Sequence, residues 1–374
     1  MNRTGWLKRF PLTIQAGMLA AMLLGLPLIG PLMHGSDLSA YLEFPPQTRS
    51  VEHAPFSLPV FAVLGLFLLA VVLPPAVRLI RSIGKQSLAA PSAQHPFPWW
   101  GHAGLVLGLA DWVLAWTRFE WMADWQRFTF TPLWIAYILV INALMVKRTG
   151  SCPLLKRPGF FLLLFPASAL FWWFFEYLNR FVQNWYYINV QDFSALEYTA
   201  HASLSFATVL PAVLSTRALL LTFPVFERTF GSFISLRIPQ PKVVAGLTLL
   251  LSGSGLAFIG VFPDVLFPLL WVSPLLIIVS VRTLLDRGHV LSRPARGDWS
   301  DAAASALAAL VCGFFWEMWN VFSLAKWVYS IPYVEAVHIF EMPLLGYAGY
   351  LPFGLECVAV ASLLQELLER SSSS

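Results

Sequence analysis

FFEYLNRFVQNWYY at 174–187 and FWEMWNVFSLAKWVY at 315–329 are two versions of one phrase. Both fit F-[FW]-E-x-x-N-x-F, followed after three or four residues by Trp-x-Tyr. The matched pairs are Glu176 with Glu317, Asn179 with Asn320, Phe181 with Phe322 and Trp185 with Trp327. A later glutamate completes each phrase, Glu197 in one and Glu341 in the other. Upstream, 132–158 aligns without gaps on 268–294, sharing a starting Pro-Leu and a closing Arg-Pro, and 104–116 aligns on 246–258. The three matches run in the same order in both halves. This pattern predicts an internal duplication, with one four-helix unit over 96–240, a second over 241–374, and two further helices over 1–95.

The composition says what solvent these units meet. The chain is 57% hydrophobic and 12% charged, with a mean hydropathy of +0.67. A soluble domain carries roughly 25% charged residues. So apolar a chain belongs in lipid, where only segments that satisfy their own backbone groups can span. Apolar stretches of spanning length, ~20 residues, fall near 11–33, 57–80, 102–118, 131–147, 160–183, 196–220, 243–261, 264–284, 302–324 and 340–366. The predicted fold is an all-α polytopic membrane protein of about ten transmembrane helices. Each unit holds an even number of spans, so both enter the membrane in the same direction. Two such parallel repeats are related by an axis along the membrane normal.

Charge sets the expected orientation. The opening MNRTGWLKRF and the long apolar run after it read as an uncleaved first helix. With the N-terminus inside, all 24 Lys and Arg fall on inner segments except Arg49, Arg118, Arg127, Arg180 and Lys326. That asymmetry predicts an inner-membrane protein with both termini cytoplasmic and the loops near 118–129 and 184–195 outside. The sequence pI of about 9.0 is read as topology, with no nucleic-acid partner expected and membrane lipid as the surroundings.

Charged residues inside spans are costly and point by default to a site. Glu176 and Asn179 fall on one face of the fifth span, with Arg180 and Gln183 a turn further on, and Trp172 and Trp173 extend that face inward. Glu317 and Asn320 repeat the pair, beside Trp316. Glu197, His201, Ser205 and Thr208 form a polar stripe along the sixth span. Glu341 is read as starting the tenth span, which reaches Glu356 on the same broad face and is interrupted by Pro343, Gly346, Gly349, Pro352 and Gly354. Asp111 sits mid-depth in the third span. Trp172, Trp173, Trp185, Trp316 and Trp327 are expected to form an aromatic wall. Each has a plainer reading. The carboxyls of Glu176 and Glu317 would hold helices together, Glu197 and Glu341 would be solvated helix starts, His201 would pack, and Trp185 and Trp327 would belong to an interfacial belt.

No P-loop, dinucleotide fingerprint, HExxH or GxSxG is present, and the three cysteines lack ligand spacing. No metal and no cofactor are expected. A transporter or permease for a cationic or amphipathic small molecule is the leading expectation, with Glu176 and Glu317 binding, Asn179 and Asn320 orienting, and Glu356 relaying protons. The alternative is an intramembrane enzyme acting on a lipid or isoprenoid, with Glu176 and Glu197, or Glu317 and Glu341, as acid and base. A scaffold locked by its polar residues is the third. A polar route joining both faces favours transport, whereas a closed apolar chamber open to the bilayer favours the enzyme.

Overall fold

The computed structural model describes residues 11–46, 48–85 and 95–371. Helices occupy each of the ten apolar segments: α1 Leu12–Met33, α2 Leu58–Lys85, α3 Trp99–Trp116, α4 Phe130–Thr149, α5 Pro158–Val182, the pair α6 Ala195–Phe206 and α7 Val209–Leu221, α8 Pro241–Ala257, α9 Leu269–Leu284, α10 Ser300–Val321 and α11 Tyr350–Ser371. Seven helical stretches among the described residues are long and apolar enough to cross a membrane. Helices α8 and α9, at 17 and 16 residues, are shorter, and α3 is not among the seven. Arg3, Lys8 and Arg9, which carry the expected placement of the N-terminus, lie outside the described residues, as does most of the link before the proposed first unit.

Two expected spans differ in detail. The sixth breaks at Ala207–Thr208 into α6 and α7. Ser168 Oγ on α5 donates to the Phe206 carbonyl at 2.6 Å and accepts from the Leu210 N–H at 2.9 Å, so the interruption leaves both groups partnered. Pro211 follows in the first turn of α7, where its missing N–H costs nothing. The tenth span does not begin at Glu341. Residues 338–343 form a small antiparallel hairpin, 344–349 a tight helical turn, and α11 starts only at Tyr350. Phe340 holds a left-handed φ of 58° at the hairpin turn, so Glu341 and Glu356 share no helix face.

Helix α3 packs along α4, α8 along α9, and α10 against both α7 and α11. Gly354 of α11 lets the last pair approach closely, since a Cβ there would meet the Ser305 carbonyl at 2.1 Å. Helix α2 stands apart, touching the rest through the 224–230 and 344–349 segments and leaving most of its surface exposed.

At one end of the bundle the chain leaves α5 and α10 as short strands, β1 Trp185–Ile188 and β2 Lys326–Tyr329, which pair antiparallel. This strap is covered by the segment before α2: Ser57 N–H donates to the Tyr333 carbonyl at 3.1 Å, and Ser330 Oγ to that of Val51 at 3.1 Å. His53 fixes the same segment to Asp264 at 2.7 Å. At the opposite end, Arg217 donates to Asp301 at 2.8 Å, and Arg293 joins Asp301 to Asp298.

Candidate functional site

The two matched asparagines build the strap. Gln183 turns left-handed just past α5, with φ 50°, and sends the chain back across the bundle end. Asn179 Nδ2 donates to the Trp185 carbonyl at 2.7 Å, and its Oδ1 accepts from the Asn184 N–H at 2.8 Å. Asn320 Nδ2 donates to the Trp327 carbonyl at 2.8 Å, and its Oδ1 accepts from the Trp327 N–H at 3.0 Å. A primary amide presents a donor and an acceptor together without charge. Each asparagine can therefore act as an extra rung, tying a strand to the helix before it.

The two matched glutamates lie one helical turn deeper, both fully buried. Glu176 Oε1 accepts from the Tyr187 hydroxyl at 2.6 Å, Trp172 Nε1 at 3.0 Å and Trp185 Nε1 at 3.1 Å. Glu317 Oε1 accepts from the hydroxyls of Tyr329 and Tyr350, each at 2.7 Å, and Trp327 Nε1 donates to the Tyr329 hydroxyl at 2.9 Å. The second oxygen of each glutamate is buried without a hydrogen-bond partner among the described residues. The halves differ in the indole, since Trp185 donates to Glu176 but Trp327 to the Tyr329 hydroxyl, and in one exchange of residues. Trp172 precedes Glu176 by four residues, and the residue four before Glu317 is Gly313. A Cβ on Gly313 would come within 2.4 Å of the Tyr350 ring, so Tyr350 uses the room that Gly313 leaves. Phe206, nine residues after Glu197 as Tyr350 is after Glu341, packs on Trp172 at 6.0 Å.

Beneath the strap lies a chamber of about 470 Å³. Trp172, Trp185 and Tyr187 form one wall, and Trp316, Trp327, Tyr329 and Tyr350 another. Trp271 on α9 joins them, 5.7 Å from Trp185. Glu176 and Glu317 do not line it; the rings that donate to them do. No carboxylate reaches the wall among the described residues. The ionisable side chains that do reach it, apart from the tyrosines, are Arg127, His201 and Lys326.

The remaining expected site residues disperse. Glu197 caps its own helix: Ser194 Oγ receives the Glu197 N–H at 3.3 Å, and Glu197 Oε2 accepts from the Ser194 N–H at 2.8 Å. It forms no hydrogen bond with Glu176. Glu341 pairs with Lys326 rather than with Glu317. His201 lines the chamber, stacked on Phe128 at 4.1 Å and 5.3 Å from Phe193. Trp173 points away from it and donates to Ser203 at 2.9 Å. Asp111 is buried on α3, outside the chamber, with Oδ2 unpartnered among the described residues. Glu356, 1% exposed, accepts from the Leu275 N–H at 2.9 Å. That N–H follows Pro274 inside α9, where a proline disturbs the helical ladder, and the carboxyl of α11 satisfies it.

Sequence reading missed Tyr187, Tyr329 and Tyr350, the groups that stand between the carboxyls and the chamber. The signal was the Trp-x-Tyr spacing. On a helix it scatters two residues, but on a strand, residues i and i+2 share a face. Comparison with family models, curated proteins and solved structures finds no match for the chain.

Proposed function

We propose that this is a polytopic membrane protein of two related four-helix units that takes a lipid or isoprenoid into the chamber beneath the strap and acts on it by acid–base chemistry. The strap end faces outward on this reading, because Arg217, Arg282 and Arg293 lie at the other end. One observation carries the proposal: the chamber wall is made of aromatic rings, and the acids are withdrawn behind tyrosine hydroxyls. Such a wall suits an apolar chain. Tyr187, Tyr329 and Tyr350 offer it hydroxyl protons backed by a carboxyl, and Glu176 and Glu317 are placed to take those protons up or return them. Arg127 and Lys326 on the wall argue against a cationic occupant, which leaves the amphipathic one. The proton relay a transporter needs has less support, because Glu356 is engaged with the α9 backbone.

The test is mass spectrometry of the protein released from its own membrane in mild detergent. A bound long-chain molecule is expected, and Ala202→Trp, which fills the chamber from its wall, should lose it while remaining folded. Retention of the same molecule by Ala202→Trp would move the site elsewhere.

A further inference from the structure

Two sides of the chamber wall correspond position by position. Counted from Glu197 and Glu341, Tyr198 matches Met342, His201 matches Leu345, Ala202 matches Gly346 and Ser205 matches Gly349. All eight residues line the chamber. One side therefore carries Tyr, His and Ser where the other carries Met, Leu and Gly.

The neighbours of each side sharpen the contrast. On the polar side, Phe193 links His201 to Arg127, whose guanidinium lies 4.9 Å from the Phe193 ring. Arg127 Nε is buried and has no hydrogen-bond partner among the described residues. Asp192 stands 3.6 Å away and is 84% exposed, and the exposed Glu197 also acts on this cation, so both of its acidic neighbours are screened by solvent. On the other side, Gly349 abuts Trp271 and Leu345 approaches Gly65 of α2. Leu64, Phe67, Leu68 and Val71 of α2 complete that wall without a polar atom in any side chain.

We infer that the chamber holds a single-chain amphiphile with an anionic oxygen headgroup, its head at Arg127 and His201 and its chain leaving past Leu345 toward α2. The inference rests on the lipid-chamber reading and adds the charge and direction of the occupant. An arginine fork fits phosphate or carboxylate oxygens. An under-neutralised cation at the edge of an apolar chamber is costly without such a partner. The chain needs apolar surroundings, which the α2 side of the wall offers.

The experiment uses the full chain in phosphatidylcholine nanodiscs and three probes: a fifteen-carbon prenyl phosphate, the corresponding prenyl alcohol, both with a diazirine at the far chain end, and inorganic phosphate. The prenyl phosphate should bind at least about tenfold more tightly than the alcohol, a difference of ~1.4 kcal/mol. Arg127→Gln should remove that difference, and Arg127→Lys should keep part of it. Cross-links should map to 64–71 and 345–349. Equal binding of alcohol and phosphate would leave the lipid chamber standing and overturn the anionic headgroup. Cross-links at 193–205 would reverse the direction and overturn the orientation. Displacement of the prenyl phosphate by an equal concentration of inorganic phosphate would make this a free-anion site. Failure of both long-chain probes to bind would remove the chamber reading itself. The comparison of probes on the unaltered chain stands even where an Arg127 variant does not fold.

Discussion

Trp185 lies opposite Tyr329 in the strap, and the residues that match them, Trp327 and Tyr187, lie opposite each other. Exchanging the two phrases therefore maps the ladder onto itself, about a centre at Tyr186 and Val328. A contact in which i meets j and the equivalent of j meets the equivalent of i is what a twofold relation produces. The asparagine rungs and glutamate acceptors follow the same relation. We take this self-complementary register as the strongest support for the proposed duplication.

The register is open to direct test. Tyr186→Cys with Val328→Cys places two thiols at directly opposed positions, where Cβ atoms stand about 4.5–5.5 Å apart, close to the separation a disulfide needs. The double variant should form an intramolecular disulfide under mild oxidation. Tyr186→Cys with Trp327→Cys, shifted by one residue, points the thiols to opposite faces and should stay reduced on the same timescale. Gel mobility with and without reductant decides between them.

Glu176→Gln should fold. Glutamine keeps a carbonyl acceptor for Tyr187, Trp172 and Trp185. Glu176→Leu leaves those three donors without their acceptor, at about 1–3 kcal/mol for each buried group that stays unpaired. Thermal stability in detergent should separate the two, with leucine well below glutamine. If Glu176 also exchanges protons with Tyr187, the glutamine protein should retain its long-chain ligand and fail to convert it. Full turnover by Glu176→Gln/Glu317→Gln would leave the phrase a purely structural device.

Gly313 and Tyr350 should behave as a unit. Gly313→Trp alone drives an indole into the Tyr350 ring and should cost roughly 1–3 kcal/mol, as overpacking does. Gly313→Trp with Tyr350→Phe would restore the residue types of Trp172 and Phe206; a phenyl ring no longer tethered to Glu317 can shift, and the indole N–H can replace the lost hydroxyl donor, so part of that loss should be recovered. Melting temperatures of the two singles and the double form the cycle; strict additivity would break the correspondence between the halves.

Glu356→Leu should destabilise the chain, because the Leu275 N–H would lose its acceptor beside Pro274; about 1–3 kcal/mol is expected. Glu356→Gln retains a carbonyl at the same reach and should be close to neutral. A glutamine variant as damaged as the leucine one would show that the negative charge itself is needed there.

At the strap-distant end, Asp298 offers a pH test. Partial burial acts against its charge, but the Ser300 N–H and Arg293 outweigh that and hold its carboxyl below the ordinary 3.8. A carboxyl depressed in the folded chain contributes stability above its unfolded value and loses it as pH falls through the folded one. Stability should therefore decline below about pH 4, with a smaller decline in Asp298→Asn at this position's share. Melting curves between pH 3 and 6 measure it.

The all-helical class was legible because long apolar helices announce themselves by length and hydropathy, and seven such stretches are present among the described residues. The phrase around Glu176 and Glu317 was legible because charged residues inside apolar runs are few enough for a repeat to stand out. The site itself was not. Helical periodicity grouped Glu176 with Arg180 and Gln183, yet Arg180 donates to the Tyr41 carbonyl and Gln183 accepts from the Arg49 N–H at 3.1 Å. Both partners lie in the segment before α2, far away in sequence. Likewise, the role of Glu356 depends on a proline-disturbed helix from another part of the chain. Trp185 and Tyr187 read as interfacial residues because a four-residue strand is too short to show alternation.

The strap also bears on how the protein is made. Its two strands are separated by most of the second half of the chain, so β1 cannot find its partner until residues 326–329 have been synthesised. Until then the β1 edge has open hydrogen-bonding groups, and an unpaired edge is a template for other chains. Chains lengthen at about 5–20 residues per second, which leaves that edge open for roughly 7–30 seconds. A polypeptide ending anywhere before Lys326 keeps it open for its lifetime. Truncated products that include residues 185–188 should thus carry an exposed Trp-Tyr-Tyr edge open to pairing with other chains.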